Sequence, residues 1–394
     1  MRISFIAVLI VSFFASFAQS ESLSYAWIEV VPGTDRPLEL RAVVNKTQRC
    51  PITTVDDNKR TMVARRVFFS HKLCYLSLRG TENVVMGSYH WRLKEVNRVL
   101  VVPSWADVSV KDRRNLVMLA QHQKPDLVVF MGDYVAPKEL NLGWKSWTRN
   151  FLDEWQMLFS SVPVLFARGR YEDCRPAAYD LWHILLRPIM SSFKCSRGSG
   201  TWFARWSNFY ALVLDDAIVS DHYGGGRKLL ADVERHHGPT LNPHPWVISP
   251  HPIFCEQSVF KNVPTCKDDK LRLYLESWLI RHTSLVIAKD EYVSRMEHFD
   301  GLPLQAVLGR RNYYLSPVDF SPEGIKDVDT NKVYASPEAS LAVFDYHDHL
   351  VKNSHWDMRW FDQALNILET CFLEVRKVNC SGKFSYKIFP QKKH

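Results

Sequence analysis

Beyond about residue 98, short apolar segments alternate with longer amphipathic ones. Five apolar segments each end at a turn-forming or polar residue, at 99–102, 127–130, 162–166, 246–248 and 285–287. Continuous apolar segments of this length are typical of strands that are buried on both faces of a parallel sheet. Because amphipathic stretches predict helices between them, at 111–123, 147–159 and 179–190, the pattern indicates a layered α/β domain.

The pattern predicts additional strands farther along the chain. One is expected at 210–214, and two more at 340–346 and 371–375. We expect the last two to complete a second sheet.

Residues 21–95 show a different pattern. Short β-branched segments such as 27–31 and 38–44 are separated by turn residues, including Pro32-Gly33 and Cys50-Pro51. This pattern predicts a small N-terminal β segment. We therefore divide the chain into 1–20, 21–95 and 96–390.

The first twenty residues have the pattern of a signal peptide. Arg2 precedes an apolar stretch at 3–17, and Ala18-Gln19-Ser20 places small residues where a signal peptidase cleaves. The stretch is shorter than the roughly 20 residues that span a bilayer comfortably, which disfavours an uncleaved anchor. We expect an exported protein, periplasmic or secreted, whose mature chain contains no membrane span.

Cysteine usage agrees with export. All eight cysteines follow residue 20, and an even number in an oxidising compartment favours disulfides. The sequence does not determine connectivity, and pairing between neighbours is the simplest arrangement. The candidates, in chain order, are Cys50, Cys74, Cys174, Cys195, Cys255, Cys266, Cys371 and Cys380.

The net charge narrows the classes of partner. It is +8, with a sequence pI near 9.0, but the basic residues are dispersed and no nucleic-acid-binding motif accompanies them. We therefore expect no nucleic-acid partner. An anionic ligand or a protein remains compatible with the charge.

Candidate functional residues lie where the five apolar segments end, since ligands collect at the carboxyl edge of α/β sheets. The five ends carry Ser104, Gly132-Asp133, Gly169-Arg170-Tyr171-Glu172, Ser249-Pro250-His251 and Lys289-Asp290-Glu291-Tyr292. The order and content of these ends resemble the calcineurin-like metallophosphoesterases, over roughly Arg98 to Cys371. The resemblance implies a two-sheet αββα sandwich, preceded by the small β segment as in exported bacterial members. It also implies a dinuclear metal site at the strand ends.

Most of the metal ligands implied by the resemblance are replaced. The Gly-Asp motif is intact at Asp133, whereas Ser104 stands at the position of the first aspartate. The third motif's Asn ligand becomes Arg170, and the His that the resemblance implies as the proton donor to the leaving group becomes Tyr171. Pro250 takes the place of the fourth-motif histidine, and the last motif loses its imidazoles at Asp290 and Tyr292.

These losses suggest a pseudoenzyme. A dinuclear site needs several oxygen and imidazole donors around two cations, and one aspartate does not supply them. Cationic side chains, Arg170 and Lys289, can instead act as counter-charges for Asp133 or for an anionic ligand. We expect no cofactor and a binding role for an anionic small molecule or a protein partner.

The alternative is a metal-dependent phosphoester hydrolase with a rewired site. Its ligands would be Asp133 with Glu172, His251 or Asp290, which suit a divalent metal ion.

Overall fold

The computed structural model describes most of the chain after the predicted signal peptide. The described residues are 23–33, 35–106, 110–136, 143–169, 171–172, 176–188, 201–215, 230–231, 233–234, 245–254, 270–289, 294–299, 303–308, 330–336, 339–347, 355–362, 367–374 and 377–382. The predicted signal peptide, 1–20, lies outside them. Within the described part of the chain, no helix has both the length and the apolar character needed to cross a membrane.

Strands dominate these ranges. They are β1 (Tyr25–Val30), β2 (Leu38–Asn45), β3 (Ile52–Val55), β4 (Asn58–Thr61), β5 (Val63–Phe68), β6 (His71–Leu78), β7 (Asn83–Met86), β8 (Tyr89–Arg92), β9 (Arg98–Val102), β10 (Leu127–Phe130), β11 (Val164–Phe166), β12 (Trp202–Trp206), β13 (Phe209–Val213), β14 (Trp246–Ser249), β15 (Leu285–Lys289), β16 (Ser294–Phe299), β17 (Leu304–Leu308), β18 (Thr330–Ser336), β19 (Ala339–His347), β20 (His355–Asp362), β21 (Ile367–Glu374) and β22 (Lys377–Gly382). The five strands predicted from the apolar segments are β9, β10, β11, β14 and β15.

Helices occupy the connections. They are α1 (Val110–Gln123), α2 (Trp144–Trp147), a π-helical turn (Thr148–Leu152), α3 (Asp153–Phe159), α4 (Pro176–Leu185) and α5 (Lys270–His282). The helices predicted at 111–123 and 147–159 are confirmed. The third helix, predicted at 179–190, lies at Pro176–Leu185. It begins earlier because proline is favoured in a first turn, where its missing N–H is not needed, and it ends five residues sooner than predicted.

Two large sheets form the body of the described chain. One has eleven strands in the order β22-β21-β20-β19-β9-β10-β11-β1-β2-β6-β5, and the other has seven in the order β12-β13-β14-β15-β17-β16-β18. In each sheet the central strands run parallel, β9-β10-β11-β1 in the first and β13-β14-β15-β17 in the second. The parallel strands therefore carry their carboxyl ends to one edge of each sheet.

The two large sheets pack face to face. Val99 and Val129 of the first sheet and Ile248 and Ile287 of the second are fully buried in one apolar cluster. Their neighbours in sequence point to the opposite faces, as the two-residue period of a strand requires.

Helices cover the two outer faces. Phe130 of the first sheet packs in a cluster with Leu116 and Trp155 from the helices, and Val286 of the second sheet packs in another with Leu275 and Leu279 of α5. The predicted αββα sandwich is confirmed.

The C-terminal strands join a different sheet from the one we predicted. Strand β19 pairs with β9 through Ala342 and Val101, and β20, β21 and β22 continue outwards from it. The expectation that segments 340–346 and 371–375 complete the second sheet was therefore wrong. The alternation along a strand indicates burial, but it does not specify which free edge the strand will extend.

The N-terminal segment contributes to two sheets. Strands β1, β2, β5 and β6 extend the eleven-stranded sheet beside β11, whereas β3, β4, β7 and β8 form a four-stranded sheet. Backbone hydrogen bonds thus cross the predicted boundary at 95/96, through the pairing of Glu29 with Val164.

Disulfide pairing is defined for part of the chain. Cys50 and Cys74 are bonded, with their Cα atoms 5.7 Å apart, as predicted. Cys371 is also disulfide-bonded, and its backbone lies directly opposite Cys380 in the β21–β22 pair. Cys174, Cys195, Cys255 and Cys266 lie outside the described residues.

Candidate functional site

The ends of β9 and β10 are joined by backbone hydrogen bonds. The N–H groups of Trp105 and Ala106 donate to the carbonyl of Asp133, at 3.2 and 2.7 Å. The β9 end is held in turn by Trp105, whose indole Nε1 donates to the carbonyl of Asn150 at 2.6 Å. The first two candidate positions therefore share one rigid strand edge.

Two glycines allow the ends of β10 and β11 to touch. A Cβ atom at Gly132 would lie 2.2 Å from the Cα of Gly169, and a Cβ at Gly169 would lie 2.2 Å from the amide nitrogen of Asp133. Gly132 and Asp133 both have positive φ, 90° and 54°. Glycine adopts this conformation without steric cost, and aspartate is one of the few other residues that tolerate it. This local geometry turns the Asp133 side chain into the edge between the sheets.

Asp133 forms a buried ion pair with Lys289. The ammonium Nζ of Lys289, the last residue of β15, donates to Asp133 Oδ2, and both side chains are less than a tenth exposed. The other carboxylate oxygen, Oδ1, accepts the backbone N–H of Tyr171 at 3.0 Å. The end of β15, in the seven-stranded sheet, thus places a positive charge beside Asp133, which follows β10 of the eleven-stranded sheet.

Glu172 supports the same strand ends through their backbone. Its Oε2 accepts the N–H groups of Asp133 and Gly169 at 2.8 and 3.0 Å, and its Oε1 accepts the N–H of Tyr134 at 2.9 Å. Burial and then the neighbouring Asp133 carboxylate raise the pKa of Glu172 to about 7. Because it accepts hydrogen bonds from three backbone N–H groups, this carboxylate holds the segments that follow β10 and β11 together.

Arg168 was missed by the sequence analysis. Its buried guanidinium donates through Nε to the carbonyl of Glu172 at 2.7 Å and through Nη1 to Asp215 at 3.3 Å. Asp215 follows β13, so a second contact links the two sheets beside Asp133 and Lys289. A signal existed in the sequence, because Asp215 is a carboxylate just after a predicted strand.

The remaining described candidate positions supply few side-chain atoms that could bind a metal ion. Ser104 is buried, and its hydroxyl has no hydrogen-bond partner among the described residues. Pro250 is buried and offers no side-chain donor atom. His251 is half-buried, and its backbone N–H donates to Ser249 Oγ at 3.3 Å. Arg170, Asp290 and Tyr292 lie outside the described residues.

Comparison with known proteins identifies the fold. The sequence matches no protein-family model and no curated protein. Among solved structures, purple acid phosphatase PPD1 from yellow lupin (Lupinus luteus) seeds matches with a TM-score of 0.60 and 11% identity, over 90% of this chain and 74% of that one. The chain has the metallophosphoesterase fold.

Two further structures are more distant. GAP50, the anchor in the inner membrane complex of Plasmodium, has a TM-score of 0.47 and 12% identity over 72% of this chain and 90% of its own. A dimetal phosphatase from Danio rerio has a TM-score of 0.42 and 12% identity over 72% of this chain and 100% of its own. At these identities the likeness concerns the fold alone.

The described residues do not fit a dinuclear metal centre. No group of three His, Cys, Asp or Glu side chains comes together in the described ranges as metal binding requires. Asp133, the one metal ligand that the resemblance retains, is paired with Lys289, and Glu172 accepts backbone hydrogen bonds. At an effective dielectric of about 20, a cation about 4 Å from the Lys289 ammonium would be repelled by about 4 kcal/mol per unit charge.

Proposed function

We propose that this protein is an exported pseudo-phosphoesterase that binds rather than hydrolyses. The edge at the carboxyl ends of the parallel strands, where the resemblance implies a metal site, would bind an anionic small molecule or a protein partner. The observation that carries the proposal is the buried ion pair between Lys289 and Asp133. It gives the aspartate a protein cation in the position where the resemblance implies metal ions.

The chemistry of the site supports a loss of hydrolysis. Phosphoester hydrolysis in this fold depends on two cations that acidify water and stabilise the attacking and leaving oxygens. An ammonium group compensates a carboxylate charge, but it does not coordinate water in this way. Ser104 and Pro250 provide neither a carboxylate nor an imidazole to restore the missing donors.

The charge near the strand ends supports an anionic ligand. Arg170 lies next to Gly169 in the sequence, and a guanidinium binds carboxylates and phosphates through paired hydrogen bonds. The net charge of +8 favours the same class of ligand.

The decisive experiment measures hydrolysis and metal content together. The mature protein, residues 21–394, is assayed with p-nitrophenyl phosphate and bis(p-nitrophenyl) phosphate in the presence of manganese, iron or zinc. We expect turnover no higher than that of the Asp133→Asn variant, and less than stoichiometric metal by elemental analysis. Metal-dependent turnover that disappears in Asp133→Asn would instead establish the hydrolase with a rewired site.

The binding part of the proposal has its own test. Isothermal titration with inorganic phosphate compares the parent with Arg170→Gln, and Lys145→Gln, at an exposed position in α2, serves as the control. We expect phosphate binding that Arg170→Gln weakens and Lys145→Gln does not. Equal affinities in the three proteins would reject a cationic site at the strand edge.

A further inference from the structure

A polar cavity lies in the N-terminal part of the chain and shares no residue with the site around Asp133. Its volume is about 310 Å³. Three segments line it: the β1–β2 connection through Arg36, the β3–β4 hairpin through Asp56 and Arg60, and the end of β6 with the loop that follows it through Arg79 and Glu82.

Three arginines line this cavity, and Arg36 and Arg79 are exposed to solvent whereas Arg60 is partly buried. Among the described residues, the side chains of Arg36, Arg60 and Arg79 form no hydrogen bond and no ion pair, although two carboxylates line the same cavity. Like charges that converge on one concave surface repel one another, and an anion between them removes that repulsion.

Both carboxylates accept hydrogen bonds from nearby backbone N–H groups. Glu82 is nearly buried and accepts the N–H groups of Arg79 and Gly80, at 2.7 and 2.6 Å, one at each oxygen. Asp56 accepts the N–H of Asn83 at 2.8 Å. With three arginines and two acidic residues, the lining has a net charge of +1.

Two hydrogen bonds to backbone carbonyls hold the loop that carries Arg79. The indole Nε1 of Trp206, in the seven-stranded sheet, donates to the carbonyl of Gly80 at 3.0 Å, and the N–H of Leu93 donates to the carbonyl of Glu82 at 3.1 Å. A Cβ at Gly80 would lie 3.0 Å from the Trp206 ring, so the loop lies directly on the indole. Because the loop is already ordered, it loses little conformational entropy when a ligand binds.

We propose that this cavity binds the tetrahedral oxyanion, phosphate or sulfate, of a small ester about the size of a sugar phosphate. Guanidinium groups form paired, charge-assisted hydrogen bonds with such oxyanions. The hydroxyl groups of Ser77 and Thr81, which also line the cavity, supply neutral donors. The volume is at the lower end of the range for small-molecule sites, about 300 to 1,000 Å³, and leaves room for a group attached to the oxyanion.

The test is titration calorimetry on the mature chain with glucose 6-phosphate and glucose 6-sulfate, with glucose as the uncharged comparison. The variants are Arg60→Gln and Arg79→Gln, and the matched control is Lys59→Gln, an exposed lysine next to Arg60 on β4 that does not line the cavity. Circular dichroism verifies that each variant is folded. The phosphate and sulfate arms show which of the two esters the site prefers.

We expect either or both esters to bind, and glucose not to bind. Because a hydrogen bond to a charged group contributes about 1.5 to 3 kcal/mol, each arginine variant should weaken binding about tenfold or more. Lys59→Gln should leave the affinity within about twofold, which corresponds to no more than about 0.4 kcal/mol. Affinity that is the same in all four proteins, or no binding of either ester, would overturn the proposal. Arg170→Gln is titrated in parallel, and a loss of affinity confined to that variant would place the anion at the strand edge instead and overturn the proposal equally.

Discussion

Lys289 and Asp133 are 156 residues apart in the sequence, and Lys289 ends a strand of one sheet whereas Asp133 follows a strand of the other, yet their side chains form a buried ion pair. The pair joins the two halves of the sandwich at the edge where parallel strands end.

Replacing Asp133 with asparagine should destabilise the fold, because it leaves the Lys289 ammonium buried without its carboxylate. Breaking a buried pair from one side commonly costs about 3 to 5 kcal/mol. Urea denaturation of Asp133→Asn should show a loss of this size. The double variant Asp133→Asn/Lys289→Met should lose less than the sum of the two single variants by about 1 kcal/mol or more, since both charges are gone. Strict additivity would contradict a direct pair.

Gly169 should not tolerate a side chain. The Cβ of Gly169→Ala would lie 2.2 Å from the amide nitrogen of Asp133, so the strand ends would have to separate. We expect a loss of about 3 kcal/mol or more in the free energy of unfolding. Gly87→Ala is the control, because its φ is +60° but nothing lies within 4 Å of the added carbon. Its cost should be about 1 kcal/mol, and equal costs at the two glycines would reject the close contact.

Stability should depend on pH through Glu29 in β1. Burial raises the pKa of Glu29 to about 8, although the Arg41 guanidinium beside it opposes the shift. Between its ordinary pKa of 4.5 and about 8, the folded state holds a proton that the unfolded state has released. The free energy of unfolding contributed by this group therefore falls as the pH rises through that window.

Glu29→Gln isolates this effect, because glutamine has the same size and does not titrate. The stability of the variant relative to the parent should rise by about 3 kcal/mol between pH 5 and pH 8, since each unit of pKa shift corresponds to about 1.4 kcal/mol. Denaturation curves across this range measure it, and Glu95→Gln, at an exposed position, should show no such trend. A flat difference for Glu29→Gln would mean that Arg41 keeps the carboxylate ionised.

The Cys50–Cys74 disulfide should stabilise the N-terminal strands. It closes a loop with a sequence separation of 24, for which the chain-entropy model gives about 3 kcal/mol. The double variant Cys50→Ser/Cys74→Ser should lose about this much on urea denaturation. Thiol labelling of the unfolded, unreduced parent should find no free sulfhydryl at either position, and a labelled Cys50 would refute the bond.

The sequence by itself determined where the central strands lie. Segment 127–130 was predicted as a strand and forms β10, because four consecutive apolar residues require burial on both faces. The sequence also indicated that a cation would accompany Asp133, since Lys289 and Arg170 follow strands whose carboxyl ends share an edge. The kind of interaction was therefore predictable from strand order and residue type.

Only the tertiary structure decided which groups touch. The pairing of Lys289 with Asp133 depends on how closely the two sheets approach and on the positive φ of Asp133, neither of which is encoded in a local pattern. Glu172 looked like a candidate metal ligand in the sequence, but its carboxylate accepts three backbone N–H groups, because the contact between Gly132 and Gly169 brings those groups around it. The C-terminal strands were expected in the second sheet and extend the first, since a strand's alternation specifies its buried face and not the edge that it joins.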